Sequence, residues 1–210
     1  MDNFGRGLID WAVAAKTLAG QIESGDRHWV RVGPGRAIAA VVDGVGHGKE
    51  AARAARAAIA TLEVSNEESP IALFQCCHEQ LRLTRGVVMS LAAFSANEST
   101  LTWLGVGDVE GVLFQHQNHI LSGQEWLLQC NGLLGVHLPR LSPAVVPVAA
   151  GDVLVFATDG ISRGFADNAD LSDSPQQIAD RILTEFGQGT DDALVLVARY
   201  LNGKCDVTIR

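Results

Sequence analysis

The chain has 210 residues, 47% of them hydrophobic and 19% charged, which excludes general disorder and fits one larger domain or two small ones. Sixteen Lys and Arg against 24 Asp and Glu leave a net charge of −8 at pH 7. That balance argues against a broad nucleic-acid surface, because neutralising phosphates needs clustered Lys and Arg, yet it suits cations wherever several carboxylates share a cleft.

In chain order, residues 10–16, 29–33 and 36–42 read as short strands, the last two divided by a Gly33-Pro34-Gly35 turn. Residues 49–63 change period. Ala51, Ala54, Ala55, Ala58 and Leu62 fall on one helical face, with Lys49, Arg53 and Arg56 on a solvated one. Ser69-Pro70 pairs an N-cap residue with proline at the first helical position, opening a second helix that turns Ile71, Phe74, Cys77 and Leu81 inward. Strands follow at 87–96, 101–106, 109–114, 145–148 and 153–157. Ser174 and Gln177 have capping-box spacing, and Ile178, Ala179, Ile182, Leu183 and Phe186 form the apolar face of a third helix that Gly187 would stop. A strand at 193–200 comes last. Without repeats, low-complexity tracts or linker-like stretches, residues 1–210 are read as a single domain. Helices grouped after strand clusters predict an α+β fold of antiparallel sheets layered with helices.

No basic segment leads into an apolar core at the start, and no apolar run approaches the roughly 18 residues that span a bilayer. A cytoplasmic protein with no membrane partner is expected. Cys76, Cys77, Cys130 and Cys205 lack C-x-x-C spacing and read as small buried thiols of a reducing compartment.

One feature occurs twice: an apolar strand ending in Asp-Gly, at Asp43-Gly44 and at Asp159-Gly160. The Asp places a carboxylate at the sheet rim, and the Gly permits a sharp turn and close backbone approach. A plain hairpin turn is the alternative, but neither site is followed directly by a returning strand. Ser24-Gly25-Asp26 before one strand and Thr190-Asp191-Asp192 before the last add two more acidic sites. If the four strand-end carboxylate sites converge on one rim, hard oxygen ligands without Cys or His favour Mg²⁺ or Mn²⁺ over Zn²⁺. Paired ions of that kind activate water for displacement at phosphorus.

Asp43-Gly44-Val45-Gly46-His47-Gly48 resembles the D-G-x-G-H-G signature of bacterial protein phosphatase 2C-like enzymes, in the branch of the stage II sporulation protein E phosphatases. Ser24-Gly25-Asp26, Gly151-Asp152, Thr158-Asp159-Gly160 and Asp191-Asp192 follow the family's order and approximate spacing, over about residues 10–200. The short length, Arg85-Gly86 and Gly105-Val106-Gly107-Asp108 are most similar to the small stand-alone stressosome phosphatases. The resemblance implies a four-layer α-β-β-α sandwich, two antiparallel sheets flanked by helices.

It further implies two ions per active site, Mn²⁺ or Mg²⁺. Asp43 would bridge them and the Gly44 carbonyl would complete one shell. Asp159 and Asp191 would hold the first ion, with Asp191 preferred to Asp192 because the first member of the family's acidic pair ligates. Asp26 would act on the second ion, largely through water. Asp43 and Asp159 are thus the implied catalytic residues. Asp108 is either a third-metal ligand or a turn residue, and His47 either stabilises its turn or acts as a general acid. Many family members carry an Arg shortly before the first acidic motif, where it grips the substrate phosphate. Here that stretch is Gly20-Gln21-Ile22-Glu23, leaving Arg27, His28 and Arg163 as candidate phosphate contacts.

Gly48-Lys49 lacks the first Gly and the Ser/Thr of a P-loop, and Gly44-x-Gly46 lacks the third Gly of a dinucleotide fingerprint. His116 and His119 in a polar loop read as solvated rather than as a zinc pair. The expectation is a monomeric, metal-dependent serine/threonine protein phosphatase using metal-activated water. The resemblance makes its substrate a phosphorylated stressosome or anti-sigma-antagonist protein. The alternatives are a catalytically inactive phosphoprotein-binding module and a small-molecule phosphoesterase.

Overall fold

Residues 36–44 and 193–200 are buried along nearly their whole length, so each must be covered on both faces. The computed structural model, which describes residues 7–117, 120–167 and 170–201, provides that cover in four layers. Its strands are β1 (Ile9–Lys16), β2 (Asp26–Gly33), β3 (Arg36–Gly44), β4 (Val87–Ser95), β5 (Thr100–Val106), β6 (Glu110–Gln117), β7 (Ile120–Trp126), β8 (Gln129–Cys130), β9 (Ala144–Pro147), β10 (Val153–Ala157) and β11 (Ala193–Tyr200). Helices α1 (Lys49–Val64) and α2 (Pro70–Gln80) follow β3, α3 (Pro175–Phe186) precedes β11, and a 3-10 turn spans Arg163–Ala166.

One sheet has the order β1-β11-β10-β6-β7; the other has β2-β3-β4-β5-β8, with β9 also on β5. Three apolar cores separate the layers. Ala39, Val41, Phe94, Trp103, Leu113, Phe156 and Leu196 fill the space between the sheets, where Phe94 and Tyr200 stack with centroids 5.8 Å apart. Trp29, Ala40, Val42, Leu62 and Phe74 lie between the second sheet and α1/α2. Val155, Val197, Phe165, Ile178 and Ile182 lie between the first sheet and α3. Each fully buried Leu, Val or Phe side chain contributes about 1.5–3 kcal/mol, so the strand ends are held by dense packing on three levels.

The expected α-β-β-α sandwich is present, with differences of local cause. β7 was not expected, because Ile120-Leu121-Ser122-Gly123-Gln124-Glu125-Trp126 has little apolar alternation; it is an edge strand, paired with β6 alone. The two-residue β8 runs parallel to β5 in an otherwise antiparallel sheet. Ser69 makes no side-chain cap bond, although Pro70 opens α2 as expected. Ser174 and Gln177 do form the capping box of α3. Gly187 ends α3 at φ −65°, so its requirement is space: a Cβ there would lie 2.5 Å from the Leu183 carbonyl oxygen. Cys77 is buried but Cys76 is exposed, against the expectation of buried thiols. His119 and Cys205 lie outside the described residues. Among those described, no helix is long and apolar enough to cross a membrane.

Candidate metal centre

β2 starts three residues earlier than its apolar pattern suggests, and this brings two carboxylates together: Asp26 is the register partner of Asp43 on β3. Alternation sets their direction. Ala39 and Val41 of β3 and Val30 of β2 pack between the sheets, so Asp43 and Asp26, in phase with them, face the opposite sheet. There, Ala157 pairs with Val195, so Asp159 just beyond β10 and Asp191 just before β11 lie at the same end. Asp108 occupies the turn between β5 and β6. Asp26 is buried, Asp43 and Asp191 are half-buried, and Asp159 and Asp108 are exposed. The group forms a cleft with a floor and a rim.

Thr158 ties the sheets together at the floor. Its hydroxyl donates to Asp26 Oδ2 at 2.7 Å and accepts the Leu194 N–H at 2.9 Å, all in buried surroundings. The Asp26 N–H in turn donates to Ser24 Oγ at 3.0 Å. Thr158 belongs to the Thr-Asp-Gly motif, but nothing in its spacing reveals a bond to a residue 132 positions away.

The two Asp-Gly glycines serve close approach rather than unusual torsion. A Cβ on Gly44 would overlap the backbone carbonyl of Ala51 at the start of α1, and one on Gly160 would overlap that of Asp192. Each carboxylate strand end is thereby seated against the next element.

The acidic pair divides its labour. Asp192 is buried, and its carboxylate accepts the Leu18 N–H at 2.8 Å and the Gly25 N–H at 2.7 Å, fastening the segments that flank the cleft. Asp191 is half-buried and, among the described residues, accepts only the N–H of its neighbour Asp192. Asp192→Ala would leave two N–H groups without partners, at about 1–3 kcal/mol each. Urea unfolding should therefore show a loss of roughly 2–6 kcal/mol. A variant as stable as wild type would show that the two bonds carry nothing.

Burial, joined by repulsion from Asp26, Asp159, Asp108 and Asp191, pushes the Asp43 carboxyl up to about 9. Asp26 is pushed to about 7 by burial and by Asp192, Asp159 and Asp191, against the Thr158 hydrogen bond. Asp159 is raised by burial, Asp191 and Asp108. Such mutual repulsion among hard oxygen donors is what a divalent cation would relieve. Among the described residues, no three acidic, imidazole or thiol side chains close into a tight cage. Mg²⁺ suits such a donor set, since it keeps several waters and needs only one or two carboxylates directly.

The three candidate phosphate contacts are placed differently from one another. Arg27 is in phase with Trp29, which packs under α1, so its side chain leaves β2 on the face away from the carboxylates. Its Nε is buried without a partner. His28 packs on Trp11 with centroids 5.9 Å apart, and burial and Arg27 hold its pKa below the usual value. Arg163 pairs with Glu110 at 2.6 Å. His47 is exposed and makes no side-chain hydrogen bond among the described residues, contrary to a packing role. Asp152 sits at the far end of β10, where it accepts the N–H groups of His116 and Ala149.

The family model for stage II sporulation protein E matches residues 33–201. The chain is similar to a solved structure described as "The bacterial stressosome: a modular system that has been adapted to control secondary messenger signaling" (31% identity, 91% of this chain and 99% of that one, TM-score 0.83). It is also similar to RsbX in complex with magnesium (18%, 95% and 98%, 0.78). A third likeness is to the catalytic domain of serine threonine protein phosphatase PstP in complex with two manganese ions (18%, 93% and 100%, 0.66). No curated protein matches.

Proposed function

The chain belongs to the stage II sporulation protein E family of protein phosphatase 2C-like serine/threonine phosphatases, and from that premise we propose that Asp26, Asp43, Asp159 and Asp191 form its working metal centre, with two Mn²⁺ or Mg²⁺ ions per site. The observation that carries this reading is the register pairing of Asp26 with Asp43 opposite Asp159 and Asp191. Bound divalent ions would activate a water and stabilise charge developing on the phosphoryl oxygens. Asp43, central among the carboxylates that repel it, would hold the ions together with the neighbouring Gly44 carbonyl. Thr158 fixes one oxygen of Asp26 and leaves the other free to order water. Asp191 is the ligand of its pair, because both Asp192 oxygens are engaged by backbone N–H groups. Asp108, exposed in its turn, is a lesser candidate for a further ion.

The substrate is a phosphoserine or phosphothreonine of a stressosome or anti-sigma-antagonist protein in the cytoplasm. Likeness to the stressosome chain and to RsbX supports this, as does the open, exposed rim at Asp159 and Asp108.

The test is turnover of phosphoserine and phosphothreonine peptides in Mn²⁺, in chelator, and beside free nucleotides. Peptide hydrolysis that disappears with chelator is expected. Equal rates in chelator and in Mn²⁺ would overturn the metal centre, and preference for nucleotides would overturn the protein substrate. Within the acidic pair, Asp191→Asn should weaken Mn²⁺ binding by about 10–100-fold and spare stability. Asp192→Asn should do the reverse, as read by calorimetry and thermal melts.

A further inference from the structure

The stretch before the first acidic motif holds no cation, and of the candidate phosphate contacts Arg27 leaves β2 on the far face, His28 packs on Trp11 and Arg163 is paired with Glu110. A phosphate dianion approaching five carboxylates nonetheless needs positive charge besides the metals. Most arginines are already committed: Arg36, Arg56, Arg82 and Arg181 hold carboxylates, and Arg31 and Arg199 hold backbone carbonyls.

Arg85 is different. The β3–β4 ladder runs to Gly44 opposite Val87, so the residues just before β4 lie beside the loop just after Asp43. The Val45 N–H donates to the Gly86 carbonyl at 3.3 Å, joining the two segments. Gly86 has φ +85°, a left-handed turn, and a Cβ there would lie 2.6 Å from the Leu134 carbonyl oxygen, so the turn is fixed by both torsion and space. Arg85 is exposed and has no ion pair among the described residues. Its guanidinium rests on the bare backbone of Gly46: a Cβ on that residue would come within 3.3 Å of Nη1. Gly46 itself has φ +82°.

We propose that Arg85 is the substrate-phosphate contact of this enzyme, its guanidinium held over the Asp43–Gly48 loop to receive phosphoryl oxygens beside the metal centre. The proposal rests on the phosphatase reading above. A planar guanidinium offers a paired set of donors that matches two phosphate oxygens, which an ammonium does not. Because the side chain is exposed and unpaired, its removal leaves packing intact, and Arg85→Ala should melt as wild type does.

The experiment measures inorganic phosphate binding to Mn²⁺-loaded wild type, Arg85→Ala and Arg85→Lys by calorimetry. The same three proteins are assayed with p-nitrophenyl phosphate, and Mn²⁺ binding is measured separately. Arg85→Ala should weaken phosphate binding by about 10–100-fold and raise KM by a similar factor. Mn²⁺ affinity should stay unchanged, and Arg85→Lys should recover only part of the loss. Phosphate binding within twofold of wild type in Arg85→Ala overturns the proposal, as does a parallel loss of Mn²⁺. Absence of Mn²⁺-dependent turnover in the wild type would instead count against the phosphatase reading. The calorimetric contrast still decides on Arg85 in that case, and a wild type that binds no phosphate overturns it.

Discussion

Asp43→Asn should lower Mn²⁺-dependent hydrolysis of p-nitrophenyl phosphate by at least about 10³-fold while making the metal-free protein more stable. The two effects have one origin. Asp43 faces Asp26 across the β2–β3 pair and feels Asp159, Asp108 and Asp191 from the other side of the cleft. Asparagine keeps the shape and the strand register, so the cleft stays intact. It removes the charge that would join two cations, and with it the strongest repulsion within the floor. A variant that merely misfolded would lose activity and stability together. Opposite movement of the two is therefore diagnostic, read by initial rates and by melting in chelator at pH 8. Asp159→Asn should follow the same pattern more weakly in stability, since Asp159 is exposed. Turnover within tenfold of wild type in Asp43→Asn would sink the bridging role.

Much of the architecture is legible because it is written in local periodicity. The alanine face of α1, the Ser174–Gln177 box and the apolar runs of β3, β10 and β11 each have a short-range cause. The Asp-Gly doublets are legible for a related reason: both glycines are demanded by backbone contacts, which leave a residue-type trace. What stays hidden is whatever depends on the meeting of distant segments. The start of β2 is one case, where Asp26 extends the ladder only because Asp43 stands opposite. The bond from Thr158 to Asp26 joins two sheets. Asp191 and Asp192 are adjacent and chemically identical in sequence, and only the positions of Leu18 and Gly25 separate them. Arg85 is the same kind of case: its place beside Gly46 comes from the β3–β4 register, across a gap in sequence occupied by two helices.

The metal-free protein should become more stable as the pH falls from 9 to about 6, the reverse of a domain held by paired carboxylates. In the unfolded chain Asp26, Asp43 and Asp159 titrate near about 3.9. In the folded state Asp26 is raised to about 7, Asp43 to about 9, and Asp159 also lies above its ordinary range. Between those limits the folded protein binds more protons than the unfolded chain, so its stability declines as pH rises. The decline should be steepest below pH 7, where both groups keep protons that the unfolded chain has lost, and should ease through pH 7–9 as Asp26 and then Asp43 are forced to share the floor as anions. Saturating Mn²⁺ should flatten the slope, because the cation replaces the protons, and its binding near neutral pH should release protons to the buffer. Urea midpoints at pH 6, 7, 8 and 9, with chelator and with Mn²⁺, give both curves. Asp43→Asn in chelator should show a shallower dependence than wild type, since its floor lacks the group with the highest pKa. A metal-free wild type whose stability holds level or rises from pH 6 to 9 would mean that the carboxylates are solvated well enough to ionise freely. The cleft would then lack the electrostatic strain that makes a divalent cation its natural occupant.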